Sequence, residues 1–166
     1  MVRHPAGPAT QALTPVQPGT KLPNFSLENQ YGEQVTSQDL STGRSIIVFF
    51  PWAFSRVCGG ELAELQHHLP EFRDADVRLV AISVDHKFSL RTYAEQEGFE
   101  FVLLADFWPH GQVAELFDAF DVERGVARRV TIHVHNGVIT DRFASGISEP
   151  RKLDQYRQIL SQRDIF

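Results

Sequence analysis

The chain has 166 residues, of which 42% are hydrophobic and 22% are charged, and it carries a formal net charge of −5. This length and composition predict one soluble globular domain with a substantial core. The negative charge argues against nucleic acid or an anionic membrane surface as the main partner. The sequence also contains no apolar run long enough to cross a bilayer, so no membrane span is expected.

The first twenty residues differ in composition from the rest. Residues 1–20 hold Pro5, Pro8, Pro15 and Pro18 among small and polar residues. Such a segment cannot bury enough apolar surface to order itself, which predicts a flexible arm followed by one domain over 21–166. The start lacks the apolar segment of a secretory signal peptide, and a single cysteine cannot form an internal disulfide. We therefore expect a cytoplasmic protein.

The predicted elements begin with two short strands, at 24–27 and 34–35, around a turn. The run at 45–50 is continuously apolar and is typical of a strand buried on both faces. A helix is predicted over 56–72, because leucine and phenylalanine recur there at spacings of three and four residues. A second buried strand is predicted at 77–84.

In the second half, strands and helices continue to alternate. The predicted elements are a helix at 88–97 that ends near Gly98, a strand at 102–104, a helix at 112–120, a hairpin of 129–134 with 138–143 through Asn136-Gly137, and a helix at 153–160. Strands that alternate with helices predict a parallel sheet, to which the hairpin adds antiparallel strands. We predict an α/β fold, a three-layer αβα sandwich of thioredoxin-like type with a mixed sheet.

The single cysteine, Cys58, follows the first buried strand and opens the next predicted helix. Helix N-termini stabilise a thiolate relative to a thiol, and sites in α/β sheets form beyond the carboxyl ends of strands. Ser55 lies three residues before the cysteine, so its hydroxyl can turn toward the sulfur or cap the helix. Glu61 lies three residues after it. Its carboxylate either suits the dipole of the first turn or orients a basic side chain.

The pattern Pro51-x-x-x-Ser55-x-x-Cys58 resembles the active-site motif of the peroxiredoxins. The segment Asp106-Phe107-Trp108-Pro109-His110-Gly111 is similar to one in their one-cysteine group, the alkyl hydroperoxide reductase E-like proteins. The resemblance extends over most of 22–147. It implies the thioredoxin-like fold and a thiol-dependent peroxidase that reduces hydrogen peroxide and organic hydroperoxides through a sulfenic acid on Cys58.

The resemblance also implies an arginine from a distant strand. Arg128 and Arg129 are adjacent at the start of the predicted strand 129–134, so they point to opposite faces and only one can reach the cysteine. The Arg-x-Thr spacing of the family favours Arg129. The residues that the resemblance assigns to catalysis are Cys58, Ser55, Arg129 and Pro51, and those that it places at the substrate pocket are Phe54, Val57, Glu61 and Trp108.

The family often uses a second cysteine to resolve the sulfenic acid, and this sequence has none. The reductant is therefore expected to be an external thiol, either of low molecular weight or on a mycoredoxin- or thioredoxin-type protein. A homodimer is expected from the resemblance, with no cofactor. Two alternatives are a peroxide sensor without turnover and a thioredoxin-like module. The second lacks the Cys-x-x-Cys pair of a disulfide reductase, because Glu61 occupies the second position.

Histidines occur in two pairs, His67-His68 and His133-x-His135, which raises the question of a metal site. Adjacent histidines on a helix diverge, so the first pair is poorly placed to share an ion. The second pair shares a strand face, but no third ligand is evident. We therefore expect no metal.

Overall fold

The computed structural model describes residues 16–162. The strands are β1 (Ser26–Asn29), β2 (Gln34–Thr36), β3 (Arg44–Phe49), β4 (Val77–Ser83), β5 (Val102–Ala105), β6 (Phe120–Asp121), β7 (Val126–Ala127), β8 (Arg129–His135) and β9 (Val138–Ser145). The helices are α1 (Arg56–His67), α2 (Leu69–Asp74), α3 (Lys87–Glu97), α4 (Gln112–Leu116) and α5 (Leu153–Leu160). Within residues 16–162 no helix has the length and apolar character needed to span a membrane.

The main sheet is mixed and has the order β2-β1-β5-β4-β3-β8-β9. Strands β3, β4 and β5 are parallel, and the other pairings are antiparallel. One core lies on the face covered by α1, α2, α3 and α5. A second core lies on the opposite face, which α4 and the N-terminal segments cover. The predicted α/β sandwich of thioredoxin-like type is confirmed.

Strand β3 shows why the apolar run at its centre is continuous. Ile46 and Val48 belong to one core, whereas Ile47 and Phe49 belong to the other. All four side chains are fully buried, because side chains of successive residues point to opposite faces of a sheet that is covered on both sides. The strand therefore holds its carboxyl end, where the cysteine segment begins, in a rigid position.

Two predicted helices differ from the structure. The predicted helix at 56–72 is divided into α1 and α2, with Pro70 in the first turn of α2, where its missing N–H removes no intrahelical bond. The predicted helix at 112–120 ends at Leu116, and Asp118 adopts a left-handed conformation with φ of 51°. The chain then forms the β6–β7 hairpin, which the helical pattern had obscured.

Part of the predicted arm packs against the domain. Val16 is buried in the second core. The N–H of Gly19 donates to the carbonyl oxygen of Ile139 at 2.7 Å, and the N–H of Ile139 donates to the carbonyl oxygen of Thr20 at 2.8 Å. Gly19 and Thr20 therefore pair with β9, while residues 1–15 of the predicted arm lie outside the described residues.

The connection from β5 to α4 depends on a close approach at Gly111. The buried carboxylate of Asp106 accepts the N–H groups of Val113 and Ala114 at 3.1 and 2.9 Å, which holds the start of α4. Gly111 has a φ of +71°, and a Cβ atom there would lie 2.2 Å from a ring carbon of Phe120. Only glycine allows both this backbone conformation and this contact.

We expect Gly111→Ala to lower the free energy of unfolding by about 3 kcal/mol, because a left-handed penalty and an overpacking penalty add. Gly98→Ala is the matched control, since Gly98 has nearly the same φ of +72° and open space around its Cβ position. The control should lose only about 1 kcal/mol. Urea denaturation of both variants measures the difference, and equal losses would contradict the packing argument.

Candidate active site

Cys58 lies in the first turn of α1, directly beyond the carboxyl end of β3. Ser55 is the N-cap residue of this helix, and its hydroxyl oxygen accepts the backbone N–H of Cys58 at 3.2 Å. Of the two orientations open to this hydroxyl from the sequence, the structure shows the cap. The Cys58 side chain is fully buried. The sulfur therefore lies at the positive end of the helix dipole and away from bulk water.

The loop between β3 and α1 is tied to the neighbouring strand β4. The N–H of Ala53 donates to a carboxylate oxygen of Asp85 at 2.9 Å, and the Ser83 hydroxyl donates to the same oxygen at 2.6 Å. Phe54 has a φ of 66°, which is unusual for a residue with a large side chain. Its ring is half exposed and lies 4.9 Å from the ring of Tyr93, centroid to centroid. These contacts fix the backbone that leads to the cysteine.

Arg129 is the cation at the sulfur. It begins β8, and its Nη2 donates to the Cys58 Sγ at 3.2 Å. Its Nε donates to the carbonyl oxygen of Ile147 at 2.8 Å. Arg128 points the other way, to Asp118 at the surface. The structure thus brings Arg129, and not Arg128, to the cysteine.

Glu61 orients this arginine. Its carboxylate oxygen Oε1 accepts from Nη1 of Arg129 at 3.2 Å, and both groups are nearly inaccessible to solvent. Because α1 begins at Arg56, Glu61 lies in the second turn of the helix and not in the first. Of the two sequence interpretations, the structure supports the one in which Glu61 orients a basic side chain.

A second buried arginine, Arg151, completes the site and was not anticipated from the sequence. Its backbone N–H and its Nε donate to Oε2 of Glu61 at 2.6 and 3.1 Å, and its Nη2 donates to Oε1. Its Nη1 donates to the carbonyl oxygen of Phe49 at 2.7 Å and to the Thr131 hydroxyl at 3.2 Å. Arg151 precedes α5 in an irregular segment without hydrophobic periodicity. The one available signal was a carboxylate in an apolar helix face, which requires buried donors.

The buried cluster around Cys58 contains more positively than negatively charged side chains. Arg129 is 1% exposed, Arg151 and Glu61 are each 3% exposed, and Cys58 is 0% exposed. Two guanidinium groups and one carboxylate leave one uncompensated positive charge away from water. Uncompensated buried charge is strongly unfavourable, and a Cys58 thiolate would compensate it. The cluster is therefore arranged to stabilise the nucleophilic form of the sulfur.

The remaining residues expected at the pocket occupy different environments. Pro51 is buried directly after β3, and Val57 is half-buried beside Cys58. Trp108 lies apart from them: it is 81% exposed and lines a surface cavity of about 240 Å³ with Ser26, on the other side of β4 from β3. Hydrogen bonds join Ser55, Cys58, Glu61 and Arg129 into one site, whereas Trp108 lines a different cavity.

The histidines do not form a metal site in the part of the chain that the structure describes, where no group of three or more His, Cys, Asp or Glu could hold an ion. The buried His133 uses both ring nitrogens. Nε2 accepts from Nε of Arg44 at 3.2 Å, and Nδ1 lies 3.1 Å from a carboxylate oxygen of Asp141. Burial lowers the pKa of His133, and the hydrogen bond to Asp141 opposes that shift only in part.

Comparison with known proteins agrees with this geometry. Residues 18–142 match the AhpC/TSA family. The chain belongs to this family of peroxiredoxins. It is 41% identical over 128 residues to alkyl hydroperoxide reductase E of Mycobacterium tuberculosis. The match covers 76% of this chain and 82% of that protein. It is also 34% identical over 105 residues to peroxiredoxin Bcp of Escherichia coli, in a match that covers 63% of this chain and 66% of that protein.

Solved structures of the same family have the same fold. The crystal structure of Enterococcus faecalis AhpC superposes with a TM-score of 0.81 at 25% sequence identity, over 89% of this chain and 91% of that chain. AhpC of Mycobacterium tuberculosis gives a TM-score of 0.77 at 22% identity, over 88% of this chain and 92% of that chain.

The ion cluster should contribute to stability as well as to the site. We expect Arg151→Met to lower the free energy of unfolding of the reduced protein by about 3 kcal/mol, because breaking a buried ion pair leaves groups without partners. Arg157→Met is the control. It removes an exposed ion pair between Arg157 in α5 and Glu71 in α2 and should leave the urea midpoint nearly unchanged. Equal shifts of the urea midpoint in the two variants would show that the buried ion pairs of the cluster add no more stability than an exposed pair.

Proposed function

We propose that the protein is a one-cysteine peroxiredoxin, a thiol-dependent peroxidase that reduces hydrogen peroxide and organic hydroperoxides. The observation that carries this proposal is the contact of the Arg129 guanidinium with the buried Cys58 sulfur at 3.2 Å. The AhpC/TSA family match and the similarity to a protein named alkyl hydroperoxide reductase E support the same chemistry.

The proposed reaction is an in-line displacement on the peroxide. The Cys58 thiolate attacks the terminal oxygen of the hydroperoxide, so that a sulfur–oxygen bond forms as the oxygen–oxygen bond breaks. The leaving oxygen takes the proton of the peroxide and departs as water or an alcohol, so the new sulfenic acid forms first as its sulfenate. The sulfur is oxidised by two electrons to a sulfenic acid, and the peroxide is reduced by two.

Each neighbour of the sulfur then helps to stabilise the negative charge as it moves from sulfur to oxygen. Arg129 donates from a site that excludes water, where such donors are most effective. The Ser55 oxygen accepts the Cys58 N–H, which leaves the Ser55 hydroxyl hydrogen to be donated to the peroxide. Pro51, which is buried directly after β3 and has no N–H, is proposed to line the site as the family motif implies.

The sulfenic acid must be reduced by a thiol from outside the chain, because the sequence contains one cysteine. We propose a low-molecular-weight thiol or a mycoredoxin- or thioredoxin-type protein. Any such thiol must reach a fully buried sulfur, so the first turn of α1 has to open. Gly59 and Gly60 directly follow Cys58, and each lowers helix stability by about 1 kcal/mol relative to alanine.

We also propose the cytoplasm as the site of action, because turnover of a sulfenic acid requires a reducing thiol pool. The direct test is fractionation of cells that express the protein, followed by detection in the soluble and membrane fractions. Recovery of the protein outside the cytoplasm would contradict the proposal.

The decisive experiment is stopped-flow oxidation of the reduced protein with hydrogen peroxide, with intact-mass detection of the added oxygen. The wild type should be oxidised, and Cys58→Ser should not. Arg129→Ala should slow oxidation by about a hundredfold, the usual effect of removing one donor that stabilises developing charge.

Arg128→Ala is the matched control, because Arg128 is the neighbouring cation but contacts Asp118 at the surface. It should react at the wild-type rate. Equal rates for the Arg128 and Arg129 variants would remove Arg129 from the mechanism. Steady consumption of peroxide with an added thiol distinguishes an enzyme from the alternative, a peroxide sensor that is oxidised once and does not turn over.

A homodimer is proposed from the family resemblance, and an exposed aromatic surface supports it. Phe88, Phe107 and Trp108 are 68%, 47% and 81% exposed. The first two rings lie 4.9 and 4.8 Å from the ring of His86, centroid to centroid. Exposed aromatic side chains that cluster in this way are typical of protein contacts.

We expect Trp108→Ala to raise the dimer dissociation constant by at least about tenfold, because aromatic residues dominate the binding energy of interfaces. Sedimentation velocity over a range of concentrations measures this constant. Val122→Ala, which truncates another side chain that is 81% exposed, is the control. A Trp108 variant that dimerises as tightly as the wild type would place the contact elsewhere.

A further inference from the structure

The hydroxyl of Tyr93 has no partner in the structure. Tyr93 lies on α3 and is 1% exposed. Within residues 16–162 its hydroxyl oxygen is the one buried side-chain nitrogen or oxygen atom without a hydrogen bond. The other fully buried tyrosine, Tyr156, pairs its hydroxyl with Thr131 at 2.9 Å. An unpaired buried hydroxyl is unfavourable, and phenylalanine would fill the same space without that penalty.

This hydroxyl is directed at the turn of α1 that carries the cysteine. Its oxygen lies 3.7 Å from the position that a Cβ atom would take on Gly59, the residue after Cys58. The Tyr93 ring is held between Phe54 and Phe99, with centroid distances of 4.9 and 5.2 Å. Because aromatic neighbours hold the ring on two sides, its hydroxyl cannot readily turn to solvent for a partner.

The electrostatics keep this group a donor. Burial raises the pKa of the Tyr93 hydroxyl far above its ordinary value, and the negative charge of Cys58 raises it further. The hydroxyl therefore keeps its proton at neutral pH and is close enough to feel the charge of the sulfur. The reduced protein thus holds a protonated donor next to Gly59, in the turn that carries the nucleophile, and this donor has no acceptor.

Reaction with a peroxide supplies an acceptor. In the balanced step, a Cys58 thiolate and ROOH give a Cys58 sulfenate and ROH. The sulfur donates an electron pair to the new sulfur–oxygen bond, and the leaving oxygen keeps the pair of the broken bond and takes the peroxide proton. The only group added to the protein is one oxygen, and it bears negative charge.

We propose that the Tyr93 hydroxyl donates a hydrogen bond to the oxygen that the Cys58 sulfur gains, both as it is transferred and in the sulfenate product. The inference rests on the proposed peroxidase function and assigns to that site a donor on α3, in addition to Arg129 and Ser55. It also explains why a hydroxyl without a partner is retained in the reduced protein, since its partner arrives with the substrate.

The test is Tyr93→Phe in the full chain, compared with the wild type and with Tyr31→Phe, which removes a hydroxyl from an exposed tyrosine. Stopped-flow oxidation of Cys58 by hydrogen peroxide should slow by about tenfold in Tyr93→Phe, the effect of one hydrogen bond to a charged group. Tyr31→Phe should match the wild type. The thermal midpoint of reduced Tyr93→Phe should equal or exceed that of the wild type, which excludes a folding defect.

A second measurement is spectroscopic and does not depend on the oxidation rate. Oxidation of the wild type to the sulfenic acid should shift a tyrosine band in the ultraviolet difference spectrum, because one hydroxyl gains an acceptor, and Tyr93→Phe should lack this shift. A Tyr93 variant that is oxidised at the wild-type rate, with an unchanged difference spectrum, overturns the inference and leaves the peroxidase intact. A wild type that hydrogen peroxide does not oxidise overturns both.

Discussion

The carboxylate of Glu61 is the constraint on which the site depends. It lies in α1 and accepts hydrogen bonds from Arg129 at the start of β8 and from Arg151 before α5, and Arg151 also binds the carbonyl oxygen of Phe49 at the end of β3. Charged groups that are removed from water are stable only with partners in good geometry. Four segments distant in sequence must therefore reach their native positions before these charged groups have all their hydrogen-bond partners. The same step places Arg129 at the reactive sulfur.

This arrangement makes the fold and the chemistry difficult to separate. The guanidinium that contacts the Cys58 sulfur is held by Glu61 on one side and by the carbonyl oxygen of Ile147 on another. An arginine fixed in this way loses no further side-chain freedom when the peroxide reacts. Preorganised donors of this kind stabilise developing charge without reorganising during the reaction. A fixed, fully buried guanidinium therefore stabilises this charge better than a flexible surface cation would.

The parts that could be predicted from sequence are those governed by local periodicity. The apolar run of β3 and the Asn136-Gly137 turn predicted strands of the sheet. Strand alternation put Arg128 and Arg129 on opposite faces, and the family spacing favoured Arg129. Arg151 could not be found in this way, because it lies in an irregular segment and its position is set by a partner 90 residues away in sequence. The direction of the Ser55 hydroxyl also depended on three-dimensional geometry, since a cap and a contact with sulfur suit the same spacing.

A fully buried sulfur must still meet two reactants, a peroxide and a thiol. A peroxide needs little space, whereas a thiol has to form a bond with the sulfur and requires the start of α1 to move. The elements that hold this start are few: the Ser55 cap, the Asp85 contact to Ala53 and the packing of Phe54 on Tyr93. Phe54 adopts an unfavourable left-handed conformation, and two glycines follow Cys58, so this is a segment of low local stability attached to a rigid strand.

The ion cluster behind this segment is much more firmly held. Opening can thus expose the sulfur while Arg129, Glu61 and Arg151 stay in place, and the site can close again around the reduced thiolate without being rebuilt.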